Sequence, residues 1–421
     1  MFHVSRLKNG VRVILTPQKD SLTTTVLVLV AAGSKYEIKE QNGISHFLEH
    51  LCFKGTKKRP TALAITSEFD GLGAEYNAFT GEEFTGYHAK AENRHAAKLI
   101  DLIADMYANP VFNPEEIEKE KGVIIEELNM YEDLPMRRVQ EVWTELLYGD
   151  QPAGWPIGGK KEIIRRLTRD EITRYRSGHY TIPGTVVAVA GGAPETEVRQ
   201  ALEAHLGTVS DGEKAVKPAT SDAQAAPGIA LKFKEVDQTH LVLGCRAYNV
   251  YDERRFALGV LTDILGGGMS SRLFQRIRDK MGAAYYVRAG VDSLTDHGYC
   301  AVSAGVDHAK LSDVIKAILE EMARLRDGDL PDEELQRAKN HMAGGMVIGL
   351  ETSDALASFY GGQEILDREM LTPEDTLARI ATVTKNEVIA VAQDIFVNQK
   401  LNLAMIGPQK DAEPLEKILT F

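Results

Sequence analysis

A heptapeptide occurs twice in this chain, and that repetition limits what the chain can fold into. Asp70-Gly-Leu-Gly-Ala-Glu-Tyr76 returns 209 residues later as Asp279-Lys-Met-Gly-Ala-Ala-Tyr285, and at the same offset Phe47 meets Phe256. Both stretches fall between a helical pattern and a pair of strands. An internal repeat of about half the chain calls for two copies of one unit, and 421 residues suffice for two domains. We place them at 1–210 and 229–421. A linker at 211–228 is expected, because that stretch lacks periodicity and is rich in Pro, Ala, Gly and Ser.

The order of elements agrees. The first half reads as a hairpin around Lys8-Asn9-Gly10, a strand at 23–32, helices at 44–54 and 61–69, strands at 74–80 and 83–91, and helices at 94–108, 113–131, 139–147 and 169–179. A strand at 185–190 and a helix at 195–205 close it. The second half reads as strands at 229–236 and 240–248, helices at 253–265 and 270–280, and strands at 284–292 and 299–305. Helices at 309–327, 332–349, 353–366 and 385–397 and a strand at 401–406 complete it. This predicts an α+β fold of two duplicated domains, each a mostly antiparallel sheet packed with helices.

The repeat fails at an informative place. The 44–54 helix contains His46-Phe-Leu-Glu-His50, with Asn42 or Ser45 as its expected cap and Gly55 as its stop. Ile44, Phe47, Leu48, Leu51 and Cys52 form one apolar stripe. His46 and His50 lie four apart on a common face, and Glu49 shares that face with His46. Two imidazoles so spaced can fill two corners of a zinc tetrahedron, beside a carboxylate able to act as general base. The order is that of the inverted zinc-protease motif. In the second half Arg255 and Gly259 stand at the two histidine positions, so that copy has lost the pair.

A zinc site needs a third protein ligand. The 114–131 helix carries Glu120 and Glu127, two turns apart on one face, together with Glu115, Glu116, Glu118 and Glu126. Spacing does not choose between Glu126 and Glu127.

A net charge of −12 argues against a nucleic-acid partner. Three scattered cysteines argue against a disulfide framework or a thiolate metal site. No apolar run reaches membrane-spanning length. The N-terminus lacks the apolar core and small-residue cleavage site of a signal peptide. A bacterial cytoplasm, without membrane attachment, is the expected location.

The chain resembles the pitrilysin or insulinase (M16) family of zinc metallopeptidases, in its half-length, mitochondrial-processing-peptidase-like branch. The resemblance rests on His46-Phe-Leu-Glu-His-Leu-Cys-Phe-Lys-Gly-Thr56, Gly73-Ala-Glu-Tyr-Asn-Ala-Phe-Thr80, Glu120-Lys-Gly-Val-Ile-Ile-Glu-Glu127, Gly266-Gly-Gly-Met-Ser-Ser-Arg-Leu-Phe-Gln275 and Arg278-Asp-Lys-Met-Gly-Ala-Ala-Tyr285. It implies a fold of the LuxS/MPP-like metallohydrolase type, with one zinc per chain on His46, His50 and Glu127. Manganese or cobalt could substitute in such a site. The resemblance implies that Glu120 orients the ligands and that Glu49 is the general base. It also implies that Arg278 and Tyr285 contact the substrate backbone near the scissile bond, where both can donate to an oxyanion; Tyr286 and Arg288 are near competitors. Asn77 and Ala78 would lie on an edge strand that pairs with extended substrate. The expected activity is endopeptidase cleavage of short unstructured peptides or leader and presequence segments. The resemblance further implies a homodimer in which the Arg/Tyr domain of one chain completes the zinc site of the other, a heterodimer with a paralogue being the alternative. The rival readings are a non-catalytic scaffold and a metal hydrolase acting on something other than peptides.

Overall fold

A computed structural model describes residues 2–421 and divides them into two compact units. The first unit holds the residues up to Leu128, Pro156–Pro218 and Gly349–Met370. Its sheet has six strands: β1 (His3–Arg6), β2 (Arg12–Pro17), β3 (Thr23–Val30), β4 (Glu75–Thr80), β5 (Thr85–Glu92) and β6 (Thr185–Gly191). Their order is β1-β2-β6-β3-β5-β4, antiparallel except for β2 beside β6. The expected hairpin is present. Gly10 takes a φ of +100° and its N–H donates to the Leu7 carbonyl at 2.8 Å, closing the turn between β1 and β2.

Strand β3 shows why this unit needs two covering layers. Its sequence, Thr-Thr-Thr-Val-Leu-Val-Leu-Val, does not alternate polar with apolar, so both faces must be buried. Val26, Val28 and Val30 face the main core with Ile44, Phe47, Leu48, Leu99 and Ile103. Leu27 and Leu29 face the other way and meet Ala357, Tyr360 and Ile365 of the Ser353–Ile365 helix. Gly361 permits the close approach: a Cβ there would lie 3.0 Å from Leu29 and 3.2 Å from Ala188.

The second unit holds Asn129–Trp155, Ala219–Ile348 and Leu371–Phe421. Its strands are β7 (Gly228–Phe233), β8 (Thr239–Arg246), β9 (Ala284–Ser293), β10 (Gly298–Val306) and β11 (Leu401–Gly407), ordered β7-β11-β8-β10-β9. Only β7 and β11 run parallel. Apart from β1, the two sheets match strand for strand and direction for direction. Gly73 and Gly282, equivalent in the repeat, both take left-handed conformations (φ +61° and +54°) just before β4 and β9. The outer face of this sheet is covered by the Pro135–Tyr148 helix, through Val139, Val142 and Trp143 against Val242, Ala301 and Ala404.

Each unit therefore includes one helix from the other half of the sequence. The division expected at 210 and 229 needs correction on this point, because the apolar outer face of each sheet must be covered and the chain covers it by exchange. Other differences are local. The expected 270–280 helix is wound as a π-helix over Phe274–Lys280. Short helices at Lys161–Arg166, Pro373–Thr382 and Glu413–Glu416 were not expected. Among the described residues, no helix is long and apolar enough to cross a membrane. Cys52, Cys245 and Cys300 are free and buried.

Candidate metal centre

The Ile44–Leu51 helix buries Ile44, Phe47, Leu48 and Leu51 and turns His46 and His50 toward the Pro114–Glu132 helix. Neither Asn42 nor Ser45 caps it. The cap position is Gly43, with φ +97°, and its side-chain acceptor comes from Glu37. Gly55 is not the stop: the helix ends at Leu51 with Cys52 as its cap, and Gly55, at φ +139°, lies three residues beyond that cap.

Glu127, not Glu126, faces the histidines; Glu126 is exposed. Glu127 Oε2 lies 3.6 Å from His46 Nε2 and 3.5 Å from His50 Nε2. These separations exceed hydrogen-bond length. They match the edge of a tetrahedron with metal–ligand bonds of about 2.1 Å, which is about 3.4 Å. Two imidazole nitrogens and a carboxylate oxygen are a zinc-type donor set, and the three lie within 4.8 Å of one another. The residues present therefore fit a metal ion. No other such group occurs among the described residues.

The surroundings fix which nitrogens face the centre. Glu120 is buried and its Oε1 pairs with His50 Nδ1 at 2.8 Å, while its Oε2 accepts from Lys54 Nζ at 2.7 Å. This places the His50 proton on Nδ1 and leaves Nε2 for the centre. Burial would raise the Glu120 carboxyl, but the His50 and Lys54 contacts outweigh it and hold it below the usual carboxylate range. For His50, burial opposes the charged form, yet Glu120 and its acidic neighbours outweigh that and raise the imidazole. His46 is pushed down to about 4, first by burial and then by His50. It is thus neutral at ordinary pH, the form that binds metals. Its Nδ1 is buried without a hydrogen-bond partner, which leaves Nε2 as the nitrogen engaged at the centre.

Glu49 is nearly buried beside this group. Burial raises its carboxyl, while a 2.5 Å hydrogen bond donated by Thr80 Oγ1 works against the rise. Desolvation thus makes this carboxylate a readier proton acceptor than an exposed one.

Thr80 ends β4, the edge strand on which Asn77 and Ala78 stand. Asn77 Oδ1 accepts from the Ala78 N–H at 2.9 Å, so the side chain occupies a backbone donor on this strand. Arg278 and Tyr285 belong to the second unit. Arg278 is exposed on the π-helix, its guanidinium 4.9 Å from the Phe274 ring centre. Tyr285 is 75% exposed on β9, also an edge strand. Of the competitors, Tyr286 is engaged: its hydroxyl meets His240 Nδ1 at 3.1 Å, and Arg288 sits over its ring.

Sequence reasoning missed Thr80, Lys54 and Glu37. Lys54 lies four residues after His50, so helical phase could have found it. Nothing in sequence links Thr80 or Glu37 to the helix they contact.

A family model described as Insulinase (Peptidase family M16) matches residues 12–161, and one described as Peptidase M16 inactive domain matches 166–342. An uncharacterized zinc protease of Streptomyces coelicolor is 36% identical over 97% of this chain and 90% of its own length. The chain belongs to peptidase family M16. An uncharacterized zinc protease of Bacillus subtilis is 33% identical over 95% of this chain and 97% of its own length. Among solved structures, a protease from Helicobacter pylori superposes with a TM-score of 0.90 at 23% identity, covering 97% of this chain and 100% of that one. The peptidase M16 inactive domain from Pseudomonas fluorescens gives 0.89 at 17% identity, covering 97% and 98%. These likenesses show the two-unit M16 fold. The family's "inactive domain" covers the half in which Gly259 stands at the second histidine position. A Cβ at Gly259 would lie 3.0 Å from Met342, so that helix pair packs without ligands.

Proposed function

We propose that this chain is a zinc-dependent endopeptidase that cleaves short unstructured peptides or leader and presequence segments. The observation that carries the proposal is the convergence of His46 Nε2, His50 Nε2 and Glu127 Oε2, with Glu49 alongside. Family membership and the zinc-protease names of its relatives support it.

In this reading His46, His50 and Glu127 hold one zinc per chain, and Glu120 keeps His50 in the metal-binding tautomer. Bound zinc supplies Lewis-acid polarisation of the scissile carbonyl and acidifies water. Glu49 accepts the proton of the attacking water at its carboxylate and returns it to the leaving amine nitrogen. Thr80 fixes the rotamer of Glu49 during both transfers. The β4 edge aligns the substrate backbone beside Asn77 and Ala78. Arg278 and Tyr285 donate to the oxyanion that develops on the carbonyl, and a facing chain of a homodimer supplies them.

Cleavage of a mixed library of unstructured peptides, with zinc content assayed, tests the activity. Wild type should cut and Glu49→Gln should not, while both hold about one zinc per chain. Normal turnover by Glu49→Gln would refute its role. For the dimer, an Arg278→Ala chain mixed with a Glu49→Gln chain should recover activity that neither shows alone. No recovery, with dimers present, would refute completion in trans.

A further inference from the structure

The helix that carries His46, Glu49 and His50 has no cap of its own. Gly43 offers no side chain, yet the first amides of any helix need acceptors. They find them six residues upstream of Gly43. Glu37 Oε2 accepts from the Gly43 N–H at 2.7 Å and from Asn42 Nδ2 at 2.9 Å, and Glu37 Oε1 accepts from the Ser45 N–H at 2.8 Å. The Glu37 side chain is 2% exposed, so this is a buried carboxylate set against a helix N-terminus.

The same turn is clamped from the other side. Asn42 Nδ2 also donates to the Pro156 carbonyl at 3.0 Å. A Cβ at Gly43 would lie 2.7 Å from the Gly158 carbonyl, and one at Gly159 would lie 2.2 Å from the Asn42 carbonyl. Gly158 in turn faces the His46 ring: a Cβ there would lie 4.0 Å from Nδ1. Ser45 Oγ is tied to the Tyr175 hydroxyl at 2.7 Å. His46 is the next residue after this fixed turn.

We infer that Glu37 is a positioning residue, a remote cap that sets where the helix begins and hence where His46 stands relative to Glu127. The inference rests on the proposed metal centre. Metal ligands tolerate only small errors of position, so loosening the first turn degrades the site before it unfolds the unit. Glu37 touches neither the metal nor the substrate and acts through the amides of Gly43 and Ser45. The ionised carboxyl suits this place because it offers both oxygens as acceptors with no donor to clash, so Glu37 and its variants are compared at pH 8, where the carboxyl is ionised.

Glu37→Gln tests this. The amide keeps the shape but offers one oxygen and points an N–H₂ at the other donor. Zinc affinity, read by chelator competition, should fall about tenfold, the low end for loss of a group that orients a ligand. Hydrogen exchange in the metal-free protein should quicken about tenfold at Gly43 and Ser45, with the β3 amides unchanged. Glu40→Gln, the same charge change at an exposed neighbour, should alter neither. If Glu37→Gln folds poorly, Asn42→Ala is the milder probe, with a loss of about threefold in the same direction expected. A folded Glu37→Gln with wild-type zinc affinity and exchange would overturn the inference. A wild type that binds no zinc would instead defeat the metal reading, and the exchange measurement would still decide whether Glu37 fixes the turn.

Discussion

Glu120→Gln isolates the contribution of a group that binds no metal itself. The wild-type carboxylate serves two donors, His50 Nδ1 at 2.8 Å and Lys54 Nζ at 2.7 Å, from a side chain that is 4% exposed. Glutamine has one acceptor oxygen. If Lys54 takes it, the amide N–H₂ faces the His50 N–H, and the imidazole loses the bond that fixes its tautomer. A hydrogen bond to a charged group contributes about 1.5–3 kcal/mol. That range corresponds to roughly tenfold to a hundredfold in zinc affinity, the usual span for such partners. The assay is competition with a chromogenic chelator at fixed pH, alongside melting of the metal-free protein. The melting separates a loss of site geometry from a loss of fold, since an unpaired Lys54 could itself destabilise the unit. Lys54→Met is the companion variant, because it frees the glutamate for His50 and should leave affinity within about threefold. Glu120→Gln with wild-type affinity and an unchanged fold would refute the assignment of Glu120 as the group that orients His50.

Thr80→Val removes the 2.5 Å hydrogen bond to Glu49 and should lower kcat about tenfold, a fraction of the roughly 10²–10⁴-fold that a general base contributes, leaving KM and zinc content unchanged. Thr80→Ser should restore turnover, and a fully active Thr80→Val would sink the role. Gly361→Val pushes a branched side chain against Leu29 and Ala188, where even a Cβ lies 3.0 and 3.2 Å away. Overpacking of this kind costs about 1–3 kcal/mol in denaturant unfolding, and an unchanged midpoint would mean the helix is not seated on this sheet. Burial raises the Glu37 carboxyl to about 7 from its ordinary 4.5. The folded state therefore holds this proton more tightly than the unfolded state. The resulting stability is fully present below pH 4.5 and is lost as pH rises through 7. Relative to Glu37→Gln, wild type should lose about 3 kcal/mol between pH 4.5 and 8; a pH-independent difference would contradict the raised value.

Much of this fold is legible along the chain because burial leaves a periodic trace. β3 shows it well: an unbroken apolar run announces a strand covered on both faces. What sequence does not say is what covers it. The Pro135–Tyr148 helix is amphipathic in the ordinary way and the Ser353–Ile365 helix, rich in Ala, Gly and Ser, only weakly so, and nothing local tells which sheet each will meet. Glu126 and Glu127 differ by one residue on a helix, and only the packing of that helix against His46 and His50 decides between them. Local sequence points to Asn42 or Ser45 as the cap of the motif helix, whereas the acceptor is Glu37, brought in by the turn between. In contrast, the missed Pro373–Thr382 helix carried a readable signal. Thr372 and Asp375 form a capping box around a proline at the first position. The π-helical winding that carries Arg278 leaves no comparable mark.

The repeat offers an internal comparison for the metal centre. At the offset of 209 Lys54 meets Asp263, and at the offset of 217 that relates the two long acidic helices Glu120 meets Arg337. Both second-unit residues line one small pocket with His341, whose Nδ1 pairs with Asp263 Oδ1 at 2.7 Å. The second unit joins the two helices through Asp263 and His341 instead, while Arg337 lies 4.0 Å from Glu334 on its own helix. It does not keep the ligands: Arg255 and Gly259 stand for the histidines and Gly344 for Glu127, with Met342 packed toward Gly259. A helix pair of this construction therefore stays packed without a metal. By the same reasoning, the first unit's helix pair is held chiefly by apolar packing of Ile44, Phe47, Leu48 and Leu51 in one core with Ile117 and Ile124. In the proposed reading, the candidate ligand atoms of His46, His50 and Glu127 are then assembled before any ion arrives. Pre-assembly of this kind spares the ion the cost of ordering its own site.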